Sequence, residues 1–156
     1  MREQQILPVL AGCTADVLER MFSVRALGKP SNDAALLDSA LVAAVAFHGD
    51  PSGRLILQVS RSAARSIAAD FLGEEEPVLS EQQVEEVICE LANIICGSVL
   101  SSIEDDSAFR LQTPQLQHGG APVEDTVDAV IHRMNLERGT VAVAFQTGTK
   151  VCPIGE

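Results

Sequence analysis

Residues 80–103 read SEQQVEEVICELANIICGSVLSSI, and this stretch predicts one long amphipathic helix. Ser80 is a good N-cap, Gln83 completes a capping box, and acidic side chains follow near the positive end of the helix dipole. At about 100° per residue, one broad arc of the helix is apolar, as packing against a core requires. The residues of that arc are Val84, Val87, Ile88, Leu91, Ile94 and Ile95.

The opposite side of the same helix carries a narrow stripe made of Glu86, Glu90, Asn93 and Gly97. Spacings of four, three and four residues place these positions within about 60° of one another. The pattern alone favours a solvated face, although Asn and Gly are poor mid-helix residues and Gly costs about 1 kcal/mol relative to Ala. The second interpretation is a docking surface, on which Glu90 and Asn93 grip one partner group and Gly97 permits a close approach.

Composition bounds the partners of the protein. The chain has 156 residues, 46% of them hydrophobic, and we expect a single domain over residues 1–156. Aromatic residues make up only 3%, with no Trp and no Tyr, which argues against binding of single-stranded nucleic acid through stacking. A net charge of −11 likewise argues against nucleic acid and anionic membrane surfaces as partners.

Targeting signals and metal-ligand motifs are not apparent in the sequence. No basic leader precedes an apolar run, and we expect no apolar stretch of membrane-spanning length, so we predict a cytoplasmic protein. Cys13, Cys89, Cys96 and Cys152 lack the spacing of metal ligands, and we expect all four to be reduced. No nucleotide-binding motif and no recognisable nucleophile arrangement is present, so any chemistry must use Glu90, Asn93 and groups of a partner.

Hydrophobic periodicity predicts the remaining elements. We expect a short helix after Ser60 or Ser62, either of which can be its N-cap, with Phe71 and Leu72 facing inward. The acidic segment 74–76 is interpreted as a solvated loop. The fold class is α/β, a β-sheet packed against two long helices. The expected helices are 5–23, 61–73 and 80–103, and the expected strands lie within 35–48, 54–59, 108–113, 126–136 and 140–147. The Ala-rich segment 35–48 fits a helix equally well locally, and the turn signal at 49–53 favours one or two strands there.

Four stretches together resemble a known family. They are LPVLAGCTADVLERMFSVRALGKP at 7–30, FLGEEEP at 71–77, CELANIICGS at 89–98 and LQTP at 111–114. In order and spacing they are similar to the CheC/CheX/FliY phosphatases of bacterial chemotaxis, over nearly the whole chain. The single ExxN motif, Glu90-Leu91-Ala92-Asn93, resembles CheX most.

The resemblance implies a function that the residues alone do not name. Such proteins hydrolyse the aspartyl phosphate of a response-regulator receiver domain. The family's motif implies that Glu90 pairs with the receiver's active-site Lys and that Asn93 orients the attacking water. It implies that the receiver supplies Mg²⁺, that this chain binds no cofactor or metal of its own, and that the protein is a homodimer. The alternative is a non-catalytic module that binds a receiver or a flagellar switch protein.

Overall fold

The structure is a computed structural model that describes residues 3–22, 26–27, 40–49, 52–103, 109–117 and 129–147. The helices are α1 (Glu3–Phe22), α2 (Arg61–Leu72) and α3 (Glu81–Ile103), with one 3-10 turn at Glu76–Val78. The strands are β1 (Ala26–Leu27), β2 (Leu41–His48), β3 (Gly53–Val59), β4 (Arg110–Leu111), β5 (Gln115–Leu116), β6 (Val130–Leu136) and β7 (Thr140–Thr147). The predicted fold class, a sheet packed against two long helices, is confirmed.

Most predicted elements are present with small shifts of their ends. The first helix begins at Glu3, so Pro8 lies in the second turn and not in the first turn, where its missing N–H would cost no hydrogen bond. Within the described part of the predicted strand at 108–113, residues 109–113, the structure has only the two-residue strand β4, and β1 and β5 were not predicted. The parts of the predicted strands at 35–39 and 126–128 lie outside the described residues, and the extent of one domain over 1–156 stays a prediction.

The sheet is antiparallel and is built from two hairpins. The β2–β3 and β6–β7 hairpins join through the pairing of β3 with β7, and the strand order is β1-β6-β7-β3-β2-β4, with β5 also paired to β2. Each strand of the central four is seven or eight residues long. The short β4 and β5 both lie along β2, which brings the segment after α3 back to the same side of the molecule as α3.

One face of the sheet and the three helices share the main hydrophobic core. Side chains from alternate positions of β2, β3, β6 and β7 pack there against α1, α2 and α3. Phe47 and Phe145 stack at 5.4 Å between ring centroids, and Phe109 meets Phe47 edge-on at 6.1 Å. The other face holds a smaller cluster of Val42, Ile56, Ala142 and Ala144. The central strand β7 is buried on both faces.

The helix α3 runs through the centre of the helical layer. Ten of its side chains are buried, and Ile88, Leu91 and Ile95 are fully so. By length and composition, α3 is the one described helix that is apolar enough to cross a membrane, so the expectation of no such stretch is wrong. Its apolar residues face the core of this domain, and the helix carries Glu81, Glu85, Glu86 and Glu90 in its first half. We assign α3 as a core helix.

The short helix α2 is held at both ends. Ser60 is its N-cap, so of the two predicted candidates Ser60 is correct and Ser62 is not. The Ser60 hydroxyl oxygen accepts hydrogen bonds from the N–H groups of Ala63 at 3.4 Å and Thr140 at 3.0 Å. Gly73 closes the helix with a positive φ of 68°, where a side chain would be strained.

The acidic segment between α2 and α3 is more structured than predicted. Glu76 begins the 3-10 turn and pairs with Arg138 of the β6–β7 turn. Arg65 donates hydrogen bonds to the carbonyl oxygens of Glu76 at 2.6 Å and Leu79 at 3.2 Å. The interpretation as a solvated loop is therefore wrong for Glu76, which anchors the start of α3 to α2 and to the sheet.

We expect Ser60→Ala to lower the free energy of unfolding by about 2 kcal/mol, because the change removes the cap of α2 and leaves the Thr140 N–H without its acceptor. Ser62→Ala is the matched control, since Ser62 is exposed, and should change stability by less than about 0.5 kcal/mol. Urea unfolding followed by circular dichroism measures both. Equal losses in the two variants would contradict the assignment of Ser60 as the cap.

Candidate functional site

The start of α3 is fixed by paired side chains. The predicted capping box is present: the Gln83 N–H donates to the Ser80 hydroxyl at 3.1 Å, and the Ser80 N–H donates to the Gln83 side-chain oxygen at 2.8 Å. Arg61 of α2 donates to both carboxylate oxygens of Glu81 at 2.7 and 2.8 Å, and this hydrogen bond lowers the pKa of Glu81. The direction and rotation of α3 are thereby tied to α2.

The structure places the four predicted site residues on one outward stripe of α3. Glu86 and Glu90 are exposed, whereas Asn93 and Gly97 are partly buried. At 1.5 Å rise per residue, the stripe from Glu86 to Gly97 is about 16 Å long, and Glu90 and Asn93 stand about one turn apart. Leu91 and Ala92, which lie between Glu90 and Asn93 in the sequence, are fully buried in the core, so the backbone beneath the stripe is anchored.

The side chains of Glu90 and Asn93 have no partner among the described residues. The described ion pairs engage other acids instead, namely Asp16, Glu76 and Glu81. Glu86 accepts one hydrogen bond, from the Gln82 amide at 3.2 Å. A carboxylate and a carboxamide are thus held on a fixed helix with their hydrogen-bonding capacity unused, an arrangement suited to a partner that brings its own cation and acceptors.

Two shallow depressions flank the ridge formed by Glu86 and Glu90. The first lies towards the end of α2 and has a volume of about 350 Å³; its lining is Phe71, Leu72, Gln83, Glu86, Val87 and Glu90. The second lies towards the β4–β5 segment and has a volume of about 330 Å³; its lining is Gln82, Glu85, Glu86, Cys89, Glu90, Thr113, Pro114 and Leu116. A partner that touches Glu90 therefore overlies at least one of these depressions.

The first depression includes two residues that were predicted to face inward. Phe71 and Leu72 are 40% and 39% exposed, so that prediction is wrong. Helical periodicity placed them on the buried side, but they form the last turn of α2, which projects past the point where the helix contacts the core. The β4–β5 residues Thr113 and Pro114 were also missed as neighbours of the ridge, because only the tertiary fold brings them to α3.

The cysteines of α3 are poor nucleophiles. Burial, with added repulsion from Glu85 and Glu86, raises the pKa of the Cys89 thiol, and burial raises the pKa of Cys96 to about 12. Cys13 hydrogen-bonds with Ser102 at 3.5 Å, at the C-terminal end of α3. The three described cysteines are free thiols, whereas Cys152 lies outside the described residues.

The two described histidines, His48 and His132, do not join the stripe. His48 shares a hydrogen bond with Gln112 at 3.0 Å between β2 and β4, and burial lowers the pKa of His132 within β6. Within the part of the chain that the structure describes, no three His, Cys, Asp or Glu side chains come together as metal ligands. The described chemistry-bearing groups of the site are therefore Glu86, Glu90 and Asn93.

Packing of the described residues does not require a glycine at position 97. A Cβ built there meets no atom of another described element within 4 Å, although the residue lies in the second half of a long helix. Gly12 of α1 has the same open surroundings but lies off the stripe. No described contact of α3 therefore compensates for the lower helix propensity of glycine, relative to alanine, at position 97.

The antiparallel sheet packed against two long helices agrees with the comparison to known families. Residues 41–136, more than half of the chain, match the family model of the chemotaxis phosphatase CheX. The chain belongs to the CheX family of chemotaxis phosphatases. No match was found among curated protein sequences.

Solved structures share the whole fold at low sequence identity. CheX from Vibrio vulnificus is 17% identical, with 95% of this chain and 99% of that chain covered and a TM-score of 0.73. CheX from Desulfovibrio desulfuricans is 18% identical, with 92% and 99% covered and a TM-score of 0.71. CheX in a CheX–CheY–BeF₃–Mg²⁺ complex from Borrelia burgdorferi is 20% identical, with 90% and 97% covered and a TM-score of 0.67.

We expect Gly97→Ala to raise the free energy of unfolding by up to about 1 kcal/mol, because alanine is the better helix former and its methyl group meets open space. Gly12→Ala should stabilise the protein by a similar amount and is the matched control. Thermal and urea unfolding of the two variants measure this. A loss of stability in Gly97→Ala would contradict the open space expected around the alanine methyl group.

Proposed function

We propose that this protein is a phosphatase that hydrolyses the aspartyl phosphate of a CheY-like receiver domain. The proposal rests on the pair Glu90 and Asn93. This chain belongs to the CheX family, and its α3 directs both side chains outward with no partner among the described residues. In the reaction, water attacks phosphorus, the bond from phosphorus to the Asp oxygen breaks, and the products are inorganic phosphate and a free Asp carboxylate. The CheX–CheY–BeF₃–Mg²⁺ complex supports a receiver as the partner.

Asn93 is proposed to position the attacking water. A carboxamide both accepts and donates hydrogen bonds, so it can orient a water molecule in line with the phosphorus–oxygen bond. Because the group is neutral, it does not repel the phosphoryl group, as a carboxylate in the same place would. Ala92 beside it is buried and Ile94 packs partly buried against the core, which fixes the side of the helix from which the Asn93 side chain projects.

Glu90 is proposed to pair with a Lys of the receiver's active site. An exposed carboxylate that makes no described ion pair is available for a partner's ammonium group, and Glu86 one turn earlier adds to the attraction. Gly97 then lets the partner's backbone approach the helix, since no Cβ stands in its way.

The receiver is proposed to bring the metal ion. Mg²⁺ on the receiver neutralises the phosphoryl oxygens, as metal ions do in other phosphoryl-transfer reactions, so this chain needs only to place the water. The beryllofluoride complex of the Borrelia proteins contains Mg²⁺.

We further propose a cytoplasmic homodimer, following the family resemblance. Analytical ultracentrifugation at micromolar concentration measures the mass, and a monomer would overturn the dimer.

We expect Asn93→Ala to lower the rate of receiver dephosphorylation at least about tenfold while docking survives, because water positioning acts in the transition state. Glu90→Ala should weaken both docking and turnover, since it removes the charge that grips the receiver. The assay follows the loss of phosphate from a panel of Mg²⁺-bound phosphorylated receivers with substoichiometric protein.

Glu19→Ala is the matched control, since Glu19 is an exposed helical acid on α1, outside the stripe. Turnover that persists unchanged in Asn93→Ala would overturn the proposed mechanism. Binding of a receiver by the wild-type protein without any turnover would favour the non-catalytic docking module.

A further inference from the structure

We propose that the depression at Phe71 and Leu72 receives an apolar side chain of the receiver domain and thereby selects which receiver the protein accepts. This inference rests on the proposed function. It assigns a specificity role to the end of α2, a segment that contributes no group to the hydrolysis itself.

The first argument is that two large apolar side chains, Phe71 and Leu72, are exposed beside the candidate site. Single exposed hydrophobic residues are common on protein surfaces, so exposure of Phe71 or Leu72 alone carries no meaning. These two are adjacent, large and about 40% exposed, and they line one depression together with Glu86 and Glu90. An apolar surface therefore borders the carboxylate that is proposed to grip the receiver.

The second argument is geometric continuity. Because Glu90 itself lines the depression, a partner whose ammonium group pairs with the Glu90 carboxylate lies directly beside the surface towards Leu72. A partner that covers Leu72 removes its apolar surface from water. In protein interfaces, apolar contacts of this kind lie next to a polar rim, and truncating the side chain weakens binding. The depression is built from α2 and α3, which are tied to each other by Arg61 and Glu81, so it is formed before the partner arrives.

The third argument is charge, which favours a basic partner over a second copy of this chain. The carboxylates of Glu86 and Glu90 lie on the rim, and the exposed Glu74 and Glu75 follow directly after the last turn of α2. Two copies meeting through this surface would oppose like charges, and each chain carries a net charge of −11. The surface instead fits a partner that presents a basic side chain beside an apolar one.

The volume also limits the occupant. A depression of about 350 Å³ that opens broadly to solvent suits one or two side chains of a protein surface, whereas small-molecule sites enclose most of the ligand. We therefore assign it to side chains of the receiver that lie next to its active-site Lys.

The test compares Leu72→Gln with Leu7→Gln, a matched control in which a leucine of 41% exposure is changed on α1. Two quantities are measured: KM and kcat for dephosphorylation, and the Kd for receivers activated with beryllofluoride and Mg²⁺. Leu72→Gln should raise KM and Kd about tenfold with kcat little changed, as expected when a central apolar contact is lost. Leu72→Met, which keeps the apolar contact, should restore most of the affinity.

The split of KM against kcat separates this role from that of Asn93, whose change acts on kcat. If the wild-type protein turns over a receiver and Leu72→Gln keeps its KM, the inference is wrong and the proposed function stands. If the wild-type protein binds a receiver without turnover, the proposed phosphatase activity fails and the Kd values alone decide the inference.

Two further outcomes overturn the inference. Loss of self-association in Leu72→Gln at unchanged KM would assign the surface to a second copy of the chain. A wild-type protein that neither binds nor dephosphorylates any receiver would overturn the inference and the proposed function together. Phe71→Leu, which keeps an apolar side chain, checks that effects at Leu72 do not arise from disturbing its neighbour.

Discussion

The burial of one face of α3 is the constraint on which the rest of the structure depends. Ile88, Leu91 and Ile95 are fully buried, and shortening such side chains typically costs about 2–5 kcal/mol each. Rotation of the helix about its axis would expose them, so the opposite stripe has a fixed direction. The precision of the candidate site is therefore a consequence of core packing, because the side chains of Glu90 and Asn93 make no hydrogen bond or ion pair with the described residues.

The charges near the site divide into two sets with different roles. Glu76 and Glu81 are paired with Arg138 and Arg61, and these pairs hold the start of α3 against α2 and the sheet. Glu90 lies on the same helix as Glu81, but no basic side chain of the described residues is close enough to form an ion pair with it. Because exposed ion pairs contribute little stability, the first set acts through geometry, while the second leaves a negative surface available to a basic partner.

The sequence predicted the parts of this architecture that local patterns control. The capping box of Ser80 and Gln83, the apolar arc of α3 and the outward stripe follow from a period of 3.6 residues, which tertiary contacts did not override. The strands β1 and β5 could not be predicted, and β4 is shorter than the strand predicted around it. A two-residue strand shows no sequence period and forms only where a neighbouring strand supplies hydrogen bonds. The prediction that Phe71 and Leu72 face inward was wrong for a related reason. Periodicity gives the buried face of a helix but not the residue at which its contact with the core ends.

Gly97 links stability to the proposed docking surface. A glycine inside a helix is unfavourable by about 1 kcal/mol relative to alanine, and no described residue packs within 4 Å of its missing Cβ to account for that cost. Asn93, one turn earlier, is also a poor helix former with no described partner. Two consecutive positions on one stripe thus reduce the stability of the helix that the core most depends on. Unfavourable local choices of this kind are expected where a surface must accommodate a partner, so the stripe is better explained by docking than by simple solvation.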